Sequence, residues 1–288
     1  MKILFWPRPF SLGIFLIATI NGLMNLLILI GSSHCLKADL VPVVNSGFED
    51  TDGQTVFNEF TFGIPVGWER HDPNNIQGGG VFWGTLMPNG TDFFNTTAPE
   101  GDRVALLFNR SREGNGEYGL IQNLSTTLQA NTNYELRVDV GNIASGFDTG
   151  GTFYNLDEFP GYRVDLLAGG TVVAQDLDSI SIPEGEFATS IVQLSVGSDH
   201  ALLGQQLAIR LVNLNRIPDG FTQQTSPDLE VDFDNVLLSA DLTSIPEPDT
   251  MVMLSVLVCF IGGQRTRIKN QFSPMKARDR SQSMKIEG

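Results

Sequence analysis

Residues 132–140 read Thr132-Asn133-Tyr134-Glu135-Leu136-Arg137-Val138-Asp139-Val140, and their reading decides the fold. Tyr134, Leu136, Val138 and Val140 alternate with Glu135, Arg137 and Asp139. A period of two places every apolar side chain on one face of an extended strand. The same alternation recurs along the chain: at Val104, Leu106 and Phe108, at Val192, Leu194 and Val196 against Gln193 and Ser195, and at Leu207, Ile209 and Leu211. Tyr162 to Ala168 and Thr171 to Gln175 flank Gly169-Gly170, the signature of a two-residue hairpin turn. About ten short strands punctuated by Gly, Asn and Pro, with no amphipathic helix between them, predict an all-β antiparallel sandwich. No internal repeat is visible, which argues against propellers and solenoids.

Charge and cysteine divide the 288 residues. From Asp39 to Asp249 there are 31 Asp and Glu against eight Arg and no Lys, a net charge of −23. Such a surface repels phosphate backbones and excludes nucleic acid as a partner. Cys35 and Cys259 both lie outside the body, which is therefore free of disulfides. A body of roughly 200 residues is long enough to bury a core without them.

The two ends have their own character. Lys2 and Arg8 precede an apolar stretch from Phe10 to Ile30, so residues 1–38 read as a secretory signal peptide. Near the other end, Pro246-Glu247-Pro248 is followed by the apolar run Met251 to Gly263 and by Arg265, Arg267 and Lys269. That order resembles the PEP-CTERM sorting signal of Gram-negative bacteria. The resemblance implies recognition by an exosortase, transient membrane insertion of a short hydrophobic helix, and delivery to the cell surface or extracellular matrix. At about 1.5 Å per residue the run reaches roughly 20 Å, short of the hydrocarbon core, which suits a processed signal better than an anchor. The expected boundaries are a β-sandwich at 39–242, a sorting signal at 243–269 and a polar basic tail at 270–288.

Within the body, Asn45-Ser46-Gly47-Phe48-Glu49 with Gly67-Trp68, Gly119 to Leu124, Asn131 to Leu136 and Val231-Asp232-Phe233-Asp234-Asn235-Val236 resemble carbohydrate-binding modules with the galactose-binding-like jelly roll. The resemblance implies a jelly-roll topology and a structural calcium tying the first strand to the last, with Glu49 and Asp234 as its ligands. Asp228, Glu230, Asp232 and Asp234 recur at every second position, so their carboxylates share one strand face, opposite Leu229, Val231 and Phe233. A solvated acidic face is the simplest expectation for that row. The parity of the pattern changes after Asn235, which predicts a β-bulge at Asp234-Asn235.

Catalysis finds little support at this level. Glu230-Val231-Asp232-Phe233-Asp234-Asn235 is similar to the Glu-x-Asp-x-x-Glu strand of laminarinase-type glycosidases. Asn235, however, stands where the general acid belongs, and an amide donates no proton to a leaving group. His71 and His200 are the only histidines beyond the leader and have no cysteine nearby. Long segments at Gly47 to Gly79 and Gly141 to Gly161 are too long for plain turns, and the second is rich in aromatic residues, which predicts an ordered, functional loop. Sugar rings stack on aromatic faces, so Trp83, Phe153, Tyr154 and Asp157 are the expected ligand-binding residues. The sequence by itself thus predicts a non-enzymatic surface protein that binds or organises extracellular polysaccharide. A structural or adhesive matrix protein and an ice-binding protein are the alternatives.

Overall fold

The computed structural model describes residues 39–77, 80–110 and 116–243. The signal-peptide segment and the expected sorting residues Pro246, Glu247, Pro248, Arg265 and Arg267 lie outside the described residues. Fifteen strands and no helix are found among the described residues. They are β1 (Asp39–Val41), β2 (Thr55–Phe57), β3 (Phe60–Phe62), β4 (Glu69–His71), β5 (Val81–Leu86), β6 (Val104–Asn109), β7 (Tyr118–Thr127) and β8 (Thr132–Asn142). The remainder are β9 (Gly146–Phe147), β10 (Phe153–Tyr154), β11 (Tyr162–Ala168), β12 (Thr171–Leu177), β13 (Glu186–Val196), β14 (Gln206–Asn213) and β15 (Leu229–Leu242).

Two antiparallel sheets form the sandwich. The larger, eight-stranded sheet runs β13-β8-β15-β6-β5-β3-β2, with β1 also paired to β15. The smaller runs β12-β11-β14-β7-β4, and β9 and β10 make a separate hairpin. Strand β8 behaves as its alternation requires: Tyr134, Leu136, Val138 and Val140 are buried while Glu135, Arg137 and Asp139 are not. They meet Leu120, Val164, Ile209 and Leu211 of the facing sheet in the main core. Gly169 and Gly170 close the β11–β12 hairpin with φ of 58° and 80°, the positive pair that a tight hairpin turn demands.

Strand β6 departs from a one-faced pattern. Every residue from Val104 to Asn109 is buried. Ala105 and Leu107 enter the main core, whereas Val104, Leu106 and Phe108 point to the outer face of the large sheet, into a second apolar cluster with Phe60, Phe93 and Leu156. Two segments supply that cover, around Phe93-Phe94 and around Ile143 to Leu156. Ala144 donates its N–H to Phe93 O, which holds one on the other. A continuous apolar run is what a strand covered on both faces must carry.

The same cover changes the fate of the acidic row. Asp228, Glu230, Asp232 and Asp234 do share one face of β15, but all four are buried under the second cluster, not solvated as expected. The bulge forms where the parity changes: pairing of β15 with β8 shifts between Asp234 and Leu237, and Asn235 takes φ 50°.

Candidate active site

A pocket opens within the second cluster on the outer face of the large sheet. Its walls are the rings of Phe60, Phe62, Phe82, Phe108 and Tyr154, with Arg110 and Glu230 among them. Register explains the arrangement. Glu230 lies beside Phe108, and Phe108 beside Phe82, so these three side chains form one row across β15, β6 and β5. Phe82 and Phe108 stack with centroids 5.9 Å apart.

The segment from Ile143 to Tyr162 supplies the remaining wall. Ser145 Oγ accepts the N–H groups of Leu156 and Asp157 and donates to Asp157 Oδ1. Asp148 Oδ1 accepts the Thr152 N–H at 2.7 Å and so closes the β9–β10 turn. The buried Glu59 carboxylate takes the N–H and hydroxyl of Thr149, tying this segment to the β2–β3 hairpin. Tyr154 is thereby set among Phe60, Phe93 and Phe108, with ring centroids 5.8, 6.1 and 6.0 Å away. The Arg110 guanidinium lies over the Tyr154 ring at 5.2 Å, and its Nε is 3.8 Å from Asp228 Oδ2. That face of Tyr154 therefore already accommodates a cation.

One carboxyl, Glu230, lines the pocket, and a second, Asp232, follows it on the same face of β15. Among the described residues, Glu230 Oε1 and both oxygens of Asp232 have no hydrogen-bond partner other than each other. Asp232 is flanked across the sheet by Leu106 and Gly141, and the Phe187 ring fills the space above Gly141. Burial, reinforced by repulsion from Asp232 and Asp228, pushes the Glu230 carboxyl well above its usual range. Burial does the same to Asp232. Desolvation, and the repulsion each negative charge would meet from the other, both favour the protonated forms of the pair. The site thus combines a carboxyl whose acid form is favoured with electron-rich ring faces, the equipment to make and shelter a cation.

Of the expected ligand-binding residues, the structure brings only Tyr154 into this pocket. Trp83 belongs to the main core, where its Nε1–H donates to Gly119 O at 2.8 Å and its ring meets Tyr118 edge-on. Its neighbour Phe82 points the opposite way, because successive strand residues alternate faces, and it lines the pocket instead. Phe153 is exposed and packs on Phe147. Asp157 is engaged by Ser145 in holding its own loop. The sequence pattern pointed to Asn235, where a glycosidase acid would stand, and left the buried pair Glu230 and Asp232 unremarked as candidates. The available signal was the apolar run of β6, which marks its neighbour β15 as covered on both faces.

Glu49 and Asp234, the expected calcium ligands, both grip one segment. Glu49 Oε1 accepts the N–H groups of Asp102 and Arg103 at 2.7 Å, and Asp234 Oδ2 accepts that of Glu100 at 2.8 Å. Glu100 folds back over Gly47, where a Cβ would lie 1.6 Å from its carboxylate oxygen. Burial pushes the Asp234 carboxyl up to about 8, against the partly offsetting N–H bonds from Glu100 and Asn235. No group of three or more His, Cys, Asp or Glu side chains placed to hold a metal occurs among the described residues.

Comparison with known proteins identifies the family. Residues 39–239 match the HpiC1-like family, described as HpiC1 cyclase. An apo cyclase from Fischerella sp. is 34% identical, with a TM-score of 0.61, over 72% of this chain and 98% of its own. A cyclase from Fischerella sp. TAU, solved with 4-(1H-indol-3-yl)butan-2-one, is 37% identical over 72% of this chain and all of its own, with a TM-score of 0.60. The Stig cyclase Fisc from the same source, in complex with (3Z)-3-(1-methyl-2-pyrrolidinylidene)-3H-indole, matches at 37% identity and a TM-score of 0.61. No curated protein matches the chain.

These matches overturn the functional half of the sequence reading. The body takes its kinship from cyclases, not from carbohydrate-binding modules, and the relatives with bound ligands hold indoles, not polysaccharide. The expectation of a non-enzymatic protein falls with it. So does the PEP-CTERM identity with its exosortase and exopolysaccharide partners: the family match accounts for the body and ends at residue 239, before the segment that carried that resemblance. Over two thirds of its length, at more than a third identity to solved cyclases, the chain belongs to the HpiC1-like cyclase family.

Proposed function

We propose that this protein is an acid-catalysed cyclase acting on an apolar, indole-bearing substrate held in the pocket above β15. One observation carries the reading: Glu230, a buried carboxyl pushed well above its ordinary range, lines an aromatic pocket, with the buried Asp232 next to it on the same strand face. Glu230, which lines the pocket, presents the proton, and Asp232 behind it keeps the pair from ionising. Protonation of the substrate's π system creates a carbocation, and a second π bond of the same molecule closes on it to form the ring. The carboxylate then takes a proton from the new cation. The reaction is an isomerisation: no atom is gained or lost, and the acid is regenerated. Phe60, Phe82, Phe108 and Tyr154 offer ring faces to the transient charge, and burial raises the Tyr154 hydroxyl, so it stays neutral. The test is incubation with an indole carrying an alkenyl chain at C3. A product of unchanged mass with one alkene fewer and one ring more is expected, with one deuterium incorporated per turnover in D₂O. Recovery of unaltered substrate from a panel of such indoles would refute the reading.

A calcium ion at Asp234, with Glu49 as partner, belongs to the same proposal. It is supported by a buried carboxyl whose donors are only backbone N–H groups, and hard cations take such oxygen ligands. A cation bound to the folded state alone adds about 2.7 kcal/mol at a hundred times its Kd, or roughly 2–4 °C per kcal/mol in a domain this size. EDTA is therefore expected to lower the Tm and millimolar calcium to restore it. Asp234→Ala removes the response and Asp228→Ala keeps it. A melting curve indifferent to both additions would remove the ion from the account. The sandwich is read as a jelly roll, a reading supported by the pairing of the first strand, β1, with the last, β15. Export through residues 1–38 is also proposed, and the N-terminal sequence of the secreted protein checks it.

A further inference from the structure

The aromatic pocket has a neighbour. A second, more open cavity of about 490 Å³ lies by the start of β5 and is lined by Ile64, Arg70, Gln77, Val81 and Trp83. Both cavities share two wall residues, Phe62 and Phe82. Their rings meet at 5.2 Å between centroids and 51° between planes. Both are aromatic hydrocarbons with no polar atom, and Phe82 remains 36% exposed. Neither ring reaches the carboxyl pair. Glu230, Phe108 and Phe82 stand in one row on successive strands, so the proton donor and Phe82 are two strand spacings apart, about 10 Å.

We propose that Phe62 and Phe82 form a partition that sets the length of apolar chain the site accepts, closing off the second cavity. The idea rests on the indole-cyclase reading for the identity of the substrate, but not for the geometry of the partition. A ring system placed over Phe108, with its reacting carbon at Glu230, runs toward Phe82 and stops there. A longer chain meets the two rings edge-on. With either ring cut back to a methyl group, the chain continues into the space lined by Ile64 and Val81, which is apolar on that side. Specificity among substrates of different chain length then lies in two residues that take no part in proton transfer.

The test measures Kd by calorimetry for two homologous series, 3-alkylindoles and n-alkylbenzenes, against the full chain and three variants. For the unaltered protein, affinity is expected to rise by about fourfold per methylene, the gain from burying one CH₂ group, and then to fall at a definite length. In Phe82→Ala and in Phe62→Ala the fall moves to longer chains by at least two methylenes, a gain of about tenfold or more for those ligands. Ile64→Trp added to Phe82→Ala fills the second cavity and returns the limit toward its original place. Circular dichroism and Tm confirm that each variant is folded. A length profile unmoved in folded Phe82→Ala and Phe62→Ala overturns the partition. If alkylbenzenes show the shift while no indole binds, the partition stands and the indole reading fails. Absence of binding by both series to the folded, unaltered protein overturns both.

Discussion

Asp232→Asn and Glu230→Gln are each expected to reduce turnover by about 10²–10⁴-fold, the usual worth of a positioned acid or base. Each amide keeps the volume of the carboxyl it replaces, so the pocket walls are undisturbed and substrate binding should change by only a few-fold. The loss therefore falls in kcat rather than KM. Glu230 loses the proton itself. Asp232→Asn loses the carboxyl whose charge and hydrogen bond help to raise the Glu230 pKa. The two singles are correspondingly non-additive, and the double variant should be little worse than either. Equal losses in kcat and in affinity for an inert indole would mean that the pair only binds substrate, and acid catalysis would have to be sought elsewhere.

The same two substitutions are expected to stabilise the fold at alkaline pH. Glu230 and Asp232 have folded-state pKa values well above their ordinary ones, so between about pH 4 and the folded values the native state holds more protons than the unfolded chain. Stability contributed by these groups is complete below that window and is lost as pH rises through it. Asp234, pushed up to about 8, acts in the same direction when no cation neutralises it. Glu117 has the opposite sign: the hydrogen bonds from Arg163 depress its pKa, so its contribution is present at neutral pH and is lost on acidification. The Tm is therefore expected to peak in mildly acid solution and to decline toward pH 8. Removing both buried carboxyls flattens the alkaline arm and leaves the acid arm in place. At pH 8 the double variant is expected to melt above its parent. Melting curves from pH 4 to pH 9 check it. A double variant with an alkaline arm as steep as before would show that the pair is not the source of the decline. An inactive protein more stable than its parent is the mark of a site that costs the fold energy for the sake of chemistry.

Much of this architecture was legible in the chain. Alternation at Tyr134 to Val140, the Gly169-Gly170 turn and the parity change at Asn235 each act through neighbours in sequence, and each came out in place. The common face of Asp228, Glu230, Asp232 and Asp234 was equally readable, since strand geometry alone imposes it. What that face looks onto was not. Period two says which residues are together, but not whether water or protein lies opposite. A carboxylate row beside solvent and a carboxylate row beneath a second apolar layer have the same spelling.

Only the tertiary structure decided between them. The segments around Phe93 and around Ile143 to Leu156 fold across the outside of β6 and β15, and that cover raises the pKa of Glu230 and Asp232 by removing their hydration. It also separates Trp83 from Phe82, adjacent in sequence, into the main core and the pocket wall. By itself the sequence determined an all-β, disulfide-free, acidic body with an interrupted last strand, because those properties depend on local pattern and composition. The burial of Glu230 and Asp232 depends on loops that approach from about seventy to about a hundred and forty residues away, and desolvation, being set by everything that surrounds a group, is written at no single position in the chain.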